Sequence, residues 1–123
     1  MAYFRDAFVL IVALEAFFIM VLEMIGTQTR VARKAFDLSK EYLSTKEARS
    51  SMANQGLYNG FIGAGLLYAR YGLVGSASYS TQLLFVGFVV IAAIFGALTA
   101  NKKIIVTQGA PAILALLFLL LSH

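Results

Sequence analysis

The chain has 123 residues, 60% of them hydrophobic and 13% charged, with a net charge of +4 and a mean hydropathy of +0.81. A soluble globular domain carries roughly 45 to 50% apolar and about 25% charged residues, so this composition all but excludes a water-soluble fold. Cysteine is absent and the one histidine is the last residue, His123. Disulfides, thiolate chemistry and His-based metal or catalytic clusters are therefore not expected, nor is a cofactor.

About 20 apolar residues are needed per membrane crossing, so the length allows four helices in a single domain over residues 1–123. The first apolar run, 7–25, is about 28 Å of helix at about 1.5 Å per residue. It reads as a span and not as a cleaved leader: Arg5 is neutralised by Asp6, and Gly26-Thr27-Gln28-Thr29-Arg30 follows directly.

Residues 30–43 come next. Val31, Ala32, Ala35, Phe36, Ser39, Tyr42 and Leu43 repeat at helical spacing, with Arg30, Arg33, Lys34, Asp37, Lys40 and Glu41 opposite them. This predicts a basic amphipathic segment suited to a headgroup surface, with Asp37-Leu38-Ser39 as its weakest point. Ser44 and Glu47 form a capping-box pattern, so the next helix should start near Thr45 and enter the membrane by about Met52, giving a second span over 52–71. The third and fourth spans, 83–100 and 104–121, carry no formal charge, and Pro111 should kink the fourth. The expected fold is all-α: a polytopic membrane protein built as an antiparallel four-helix transmembrane bundle.

Basic residues predict the orientation. Arg30, Arg33, Lys34, Lys40, Lys46, Arg49, Lys102 and Lys103 fall in loops on one side of such a bundle, against Arg5 and Arg70 on the other. By the positive-inside rule, loops 26–51 and 101–103 are cytoplasmic and both termini lie outside. Topology and anionic headgroups of the lipid bilayer account for the net charge, and nucleic-acid binding has no support beyond it.

Small residues at four-residue spacing, Gly56, Gly60 and Ala64 in the second span and Ala92, Gly96 and Ala100 in the third, predict close helix packing within the bundle or across a homodimer. Tyr68, Tyr71 and Tyr79 read as interfacial anchors.

Polar groups inside the spans are the candidate site. A charged side chain at a helix centre costs roughly 2.5 to 3.5 kcal/mol on insertion scales, so Glu15 requires burial, protonation or a partner. Glu23 lies near the inner end of the same helix, about 12 Å and about 80° from Glu15. By depth alone, Glu23 should lie level with Asn54, Gln55 and Gln108, with Tyr58 and Asn59 pointing deeper toward Glu15. An inward-facing polar pocket for an unknown small molecule, coupled to protons through a glutamate, is the leading expectation. Its alternatives are a non-catalytic accessory subunit held together by these groups, and an intramembrane isomerase or hydrolase acting on a lipid-like substrate. No metal site is expected.

Leu22-Glu23-Met24, Ala53-Asn54-Gln55-Gly56-Leu57-Tyr58-Asn59-Gly60, Gly65-Leu66 and Gln108-Gly109-Ala110-Pro111-Ala112 together resemble the family catalogued as domain of unknown function 1304. The resemblance extends over essentially the whole chain. It implies a small four-span membrane protein without an assigned activity, with a signature at Glu23, Asn54, Gln55, Tyr58, Asn59 and Gln108.

Overall fold

The computed structural model describes every residue from Met1 to His123. It is all-helical, with no strand: α1 (Ala2–Met24), α2 (Arg30–Phe36), α3 (Lys40–Leu43), α4 (Lys46–Leu67), α5 (Gly75–Thr99) and α6 (Ala110–Leu121). A π-helical turn, Tyr68–Gly72, ends α4, and another, Ile105–Gly109, leads into α6. Two of the helices, α1 and α5, are long and apolar enough to cross a membrane. Their 23 and 25 residues give about 34 and about 37 Å of rise.

The chain forms two compact units, one of Met1–Glu15 with Ile62–His123 and one of Ala16–Phe61. In the first, Val9, Val12 and Ala13 of α1, Leu66 of α4, Val86 of α5 and Ala112, Ala115 and Leu119 of α6 form the buried core. Small residues dominate the α6 face of this core, which lets the helix backbones approach and the larger Leu119 and Val86 interdigitate. Phe118 stacks on both Phe4 and Phe8 at centroid distances of 5.6 Å. On α5 the larger apolar residues Leu84, Phe88, Ile91, Phe95 and Leu98 repeat at alternating steps of four and three and are all exposed. A contiguous apolar stripe of this length is unusual on a surface that faces water.

Several local expectations change in detail. Pro111 does not kink a continuous α-helix. The widened turn Ile105–Gly109 precedes it, and Pro111 stands in the first turn of α6. Proline lacks the amide that an α-helix interior needs and its ring crowds the carbonyl four residues earlier, so a π turn upstream accommodates it. The N-cap of α4 is Thr45 and not Ser44: Thr45 Oγ1 accepts from the Ala48 amide at 3.2 Å. Ser44 instead donates to the Glu41 carbonyl. The small-residue line of α5 is also displaced by one position, since Ala93 is buried while Ala92 is exposed. An alanine β-carbon at Gly96 would meet Ile104 at 3.3 Å, so Gly96 does mark a close approach.

In the second unit the basic segment is two short helices rather than one. Asp37 adopts a left-handed conformation (φ 56°) that stops α2. Ser39 restarts the chain as N-cap of α3, accepting from the Tyr42 amide. Aspartate tolerates this conformation and serine caps well, so the three residues between the helices break what periodicity alone would continue. The apolar residues do not share one face: Ala32 and Leu43 are buried, while Val31, Leu38 and Tyr42 are exposed.

Candidate functional site

Glu23 is the centre of the second unit. It is 1% exposed, and it is among the largest fully buried side chains of the molecule. Its Oε1 accepts from Asn59 Nδ2 at 2.5 Å, and its Oε2 is buried without any hydrogen-bond partner. Asn59 Nδ2 also reaches the Gln55 carbonyl one turn back in α4, at 3.3 Å, which holds the amide in place.

The two side chains meet because α4 carries no side chain where it passes α1. A β-carbon added to Gly56 would lie 2.7 Å from Met24 Cγ, 3.0 Å from Glu23 Cβ and 3.1 Å from the Met20 carbonyl. Gly60, one turn on, is likewise closed in by Met20. Glycine costs about 1 kcal/mol relative to alanine in a helix interior. Here it lets two backbones come together around a carboxyl, as small residues do between membrane helices. The Gly56 and Gly60 part of the expected packing line therefore lies in this contact, whereas Ala64 is exposed.

The single layer expected from depth is not formed. Asn54 is exposed, and its amide donates to the Ser50 carbonyl of its own helix at 2.9 Å. Gln55 is exposed and Tyr58 is 71% exposed. The reason is rotation. At about 100° per residue, Asn54 and Tyr58 lie on the side of α4 about 160° from Gly56, while Asn59 lies about 60° from it. Residues level in depth thus face opposite ways. Glu15 and Gln108 are both partly exposed and belong to the other unit.

Below Glu23 the chain is tied by a second polar contact that sequence inspection missed. Gln28 Nε2 donates to Thr27 Oγ1 at 3.0 Å and to the Leu43 carbonyl at 2.6 Å, and Thr27 is buried. The contact closes the loop carrying α2 and α3. Only the mixture of Thr and Gln directly after an apolar run hinted at it.

The first unit holds two further polar groupings. Arg70 pairs with Asp6 through both carboxylate oxygens, at 2.8 and 2.6 Å, and Arg5 Nε adds a bond at 3.0 Å. The Arg70 guanidinium holds the Asp6 carboxyl, one residue ahead of the first apolar run, below the usual carboxylate range. Ser78 donates to the Ala69 carbonyl at 2.6 Å and accepts from Gln82 Nε2 at 3.0 Å. That carbonyl lies in the π turn, where serine supplies a donor the widened helix lacks. The four-residue spacing of Ser78 and Gln82 was the available signal, just ahead of the third apolar run. Tyr79, read as an interfacial anchor, stacks on His123 at 3.8 Å between centroids.

Sequence comparison adds the family. Residues 10–120 match the model described as "Protein of unknown function (DUF1304)". This chain belongs to that family. It is 44% identical over 108 residues to the uncharacterized protein YpaA of Lactococcus lactis subsp. lactis (strain IL1403), covering 88% of this chain and 89% of that protein. The family match takes in both Glu23 and Asn59. No solved structure matches the chain.

Proposed function

We propose that this DUF1304 member is a four-span membrane protein, one membrane domain over residues 1–123, in which Glu23 and Asn59 form a proton- or small-molecule-binding site. The long apolar helices α1 and α5 and the exposed apolar stripe of α5 favour the membrane location. The distribution of Lys and Arg favours cytoplasmic loops at 26–51 and 101–103 with both termini outside, which puts Glu23 nearer the inner face. Exposed Ala64 and Ala92 leave small-residue surfaces on which a second copy can pack as a homodimer.

One observation carries the site: a carboxyl 1% exposed, with Asn59 on one oxygen and nothing on the other. An ionised carboxylate buried with a single neutral donor is far from compensated. A proton on Oε2, or a donor group of a bound molecule beside it, resolves this. A carboxyl that exchanges one for the other couples ligand binding to proton release. Infrared difference spectroscopy on the purified protein tests the reading. The carbonyl band of a protonated carboxyl is expected in the parent and absent in Glu23→Gln, and candidate ligands should release protons from the parent only. A parent without that band, and without ligand-linked proton release, overturns it.

A second reading, an accessory subunit whose polar contact only joins helices, is favoured by the outward-turned Asn54 and Tyr58. Stoichiometric co-purification of a partner from the native membrane, lost in Gly56→Leu, would select it. The intramembrane-enzyme reading, in which Glu23 is acid or base and Asn54 and Gln55 orient a lipid-like substrate, draws less support, since both amides are exposed.

A further inference from the structure

The loop between α1 and α4 is more ordered than a connection between helices requires. Thr29 caps α2 by accepting from the Ala32 amide, left-handed Asp37 turns the chain, Ser39 caps α3, and Gln28 clasps the Leu43 carbonyl at 2.6 Å. A polar linker has no need of four such devices. Their joint effect is to hold a particular set of side chains outward. On α2, Arg30, Val31 and Lys34 occupy one exposed arc; Leu38, between the helices, and Lys40 and Tyr42, about 160° apart on α3, are exposed as well.

The charge on this platform is unspent. Residues 26–52 hold six cations, Arg30, Arg33, Lys34, Lys40, Lys46 and Arg49, against three carboxylates, Asp37, Glu41 and Glu47. None of the six is in an ion pair; the molecule's ion pairs are those of Arg5 and Arg70 with Asp6.

We propose that residues 30–42 form a docking platform for anionic phospholipid headgroups, with Arg30, Lys34 and Lys40 taking phosphate oxygens while Val31, Leu38 and Tyr42 enter the boundary between headgroups and acyl chains. Cations interleaved with exposed apolar and aromatic side chains are what a charged bilayer surface complements: the phosphates take the charge and the acyl boundary takes the apolar groups. A wholly aqueous acidic partner leaves the apolar half unmatched. Pre-ordering by the caps and the Gln28 clasp lowers the entropy lost on docking. The proposal rests on the membrane location proposed above and is independent of Glu23.

The chain has no tryptophan, so Tyr42→Trp places a single fluorescent reporter on the platform. The protein is reconstituted into phosphatidylcholine vesicles containing phosphatidylglycerol, with bromine on the chains of one lipid or the other. Co-flotation with the vesicles reads membrane location, and the quenching ratio reads the platform. Bromine on the anionic lipid is expected to quench more strongly, with an apparent preference of at least about fivefold, the effect of a single basic residue acting at an anionic surface. High salt should reduce that preference without any mutation, and Arg30→Gln with Lys34→Gln and Lys40→Gln should bring it close to one while circular dichroism stays unchanged. Equal quenching by the two lipids overturns the proposal and leaves the membrane location standing. Absence of quenching by either lipid overturns it also, pointing to a platform turned toward a protein or nucleic-acid partner. Failure to co-float with any vesicle overturns both readings.

Discussion

Two carboxylates in this molecule find opposite solutions. Asp6, in the first unit, accepts from two guanidinium groups and keeps part of its surface in solvent. Glu23, in the second, is sealed from solvent and receives one neutral donor. The difference is one of surroundings. Where water and a cation are both at hand, an ion pair forms at little gain or loss. Where neither is, a carboxyl is retained only if a proton or an exchangeable partner completes it. The fully partnered acid is therefore the structural one, and the incompletely partnered acid is the one to test for function.

The contrast can be broken most forcefully at the glycines. Gly56→Leu places a side chain where Met20, Glu23 and Met24 already stand. Overpacking of this kind costs about 1 to 3 kcal/mol, and the separation of α4 from α1 should also break the Glu23–Asn59 bond. A lower thermal midpoint in detergent, together with a shifted Asn59 side-chain NMR resonance, is the expected result.

Glu23 itself offers a sharper division. Glu23→Ala leaves the Asn59 amide with only the longer bond to the Gln55 carbonyl and should cost about 1 to 3 kcal/mol. Glu23→Gln keeps an acceptor of similar shape and should cost less, while removing ligand-linked proton release. Equal melting losses for the two variants would mean that shape and hydrogen bonding are not what Asn59 requires.

At the other pole, Asp6→Ala or Arg70→Ala should change stability by about 1 kcal/mol or less, because the pair is partly exposed. Salt should diminish that difference further, whereas the Glu23 variants should respond little to salt.

The smallest effect expected is on pH dependence. The Asp6 carboxyl is held below its usual range by Arg70 in the folded protein. Its contribution is therefore complete above the ordinary carboxylate range and is lost as pH falls through the lower folded-state value. A pH series of melts should show a shallow acid-side loss in the parent that Asp6→Asn lacks.

The course of the chain was largely legible before the structure. Apolar runs marked α1, α5 and α6, and the glycines of the second run marked where α4 passes close to another helix. The cost of a carboxylate in an apolar run singled out Glu15 and Glu23 together, with Glu15 the costlier by its central depth, and only the family resemblance put Glu23 ahead of it. The partners of Glu23 were less legible. Depth along a helix can be counted from either end, but it set Glu23 level with Asn54 and Gln55 and sent Asn59 toward Glu15, whereas the structure joins Asn59 to Glu23. Rotation about the axis is set by which side chains pack, and Asn54, Gln55, Tyr58 and Asn59 differ in little else. Only Asn59 shares the glycine face. The break at Asp37 was marked as a weak point, but whether a single helix or two would form depended on a backbone conformation that periodicity does not encode.

What composition and spacing determined alone is the helical character, the apolar lengths, the basic loop and the presence of an acid where acids are expensive, because each follows from local free energies of transfer. What the tertiary structure decided is which amide meets that acid, which apolar residues of the basic loop face outward, and that Asp6 binds Arg70 sixty-four residues away. These are relations between segments, and they depend on the azimuth and closeness of helices, which glycine contacts and caps set only once the chain has folded.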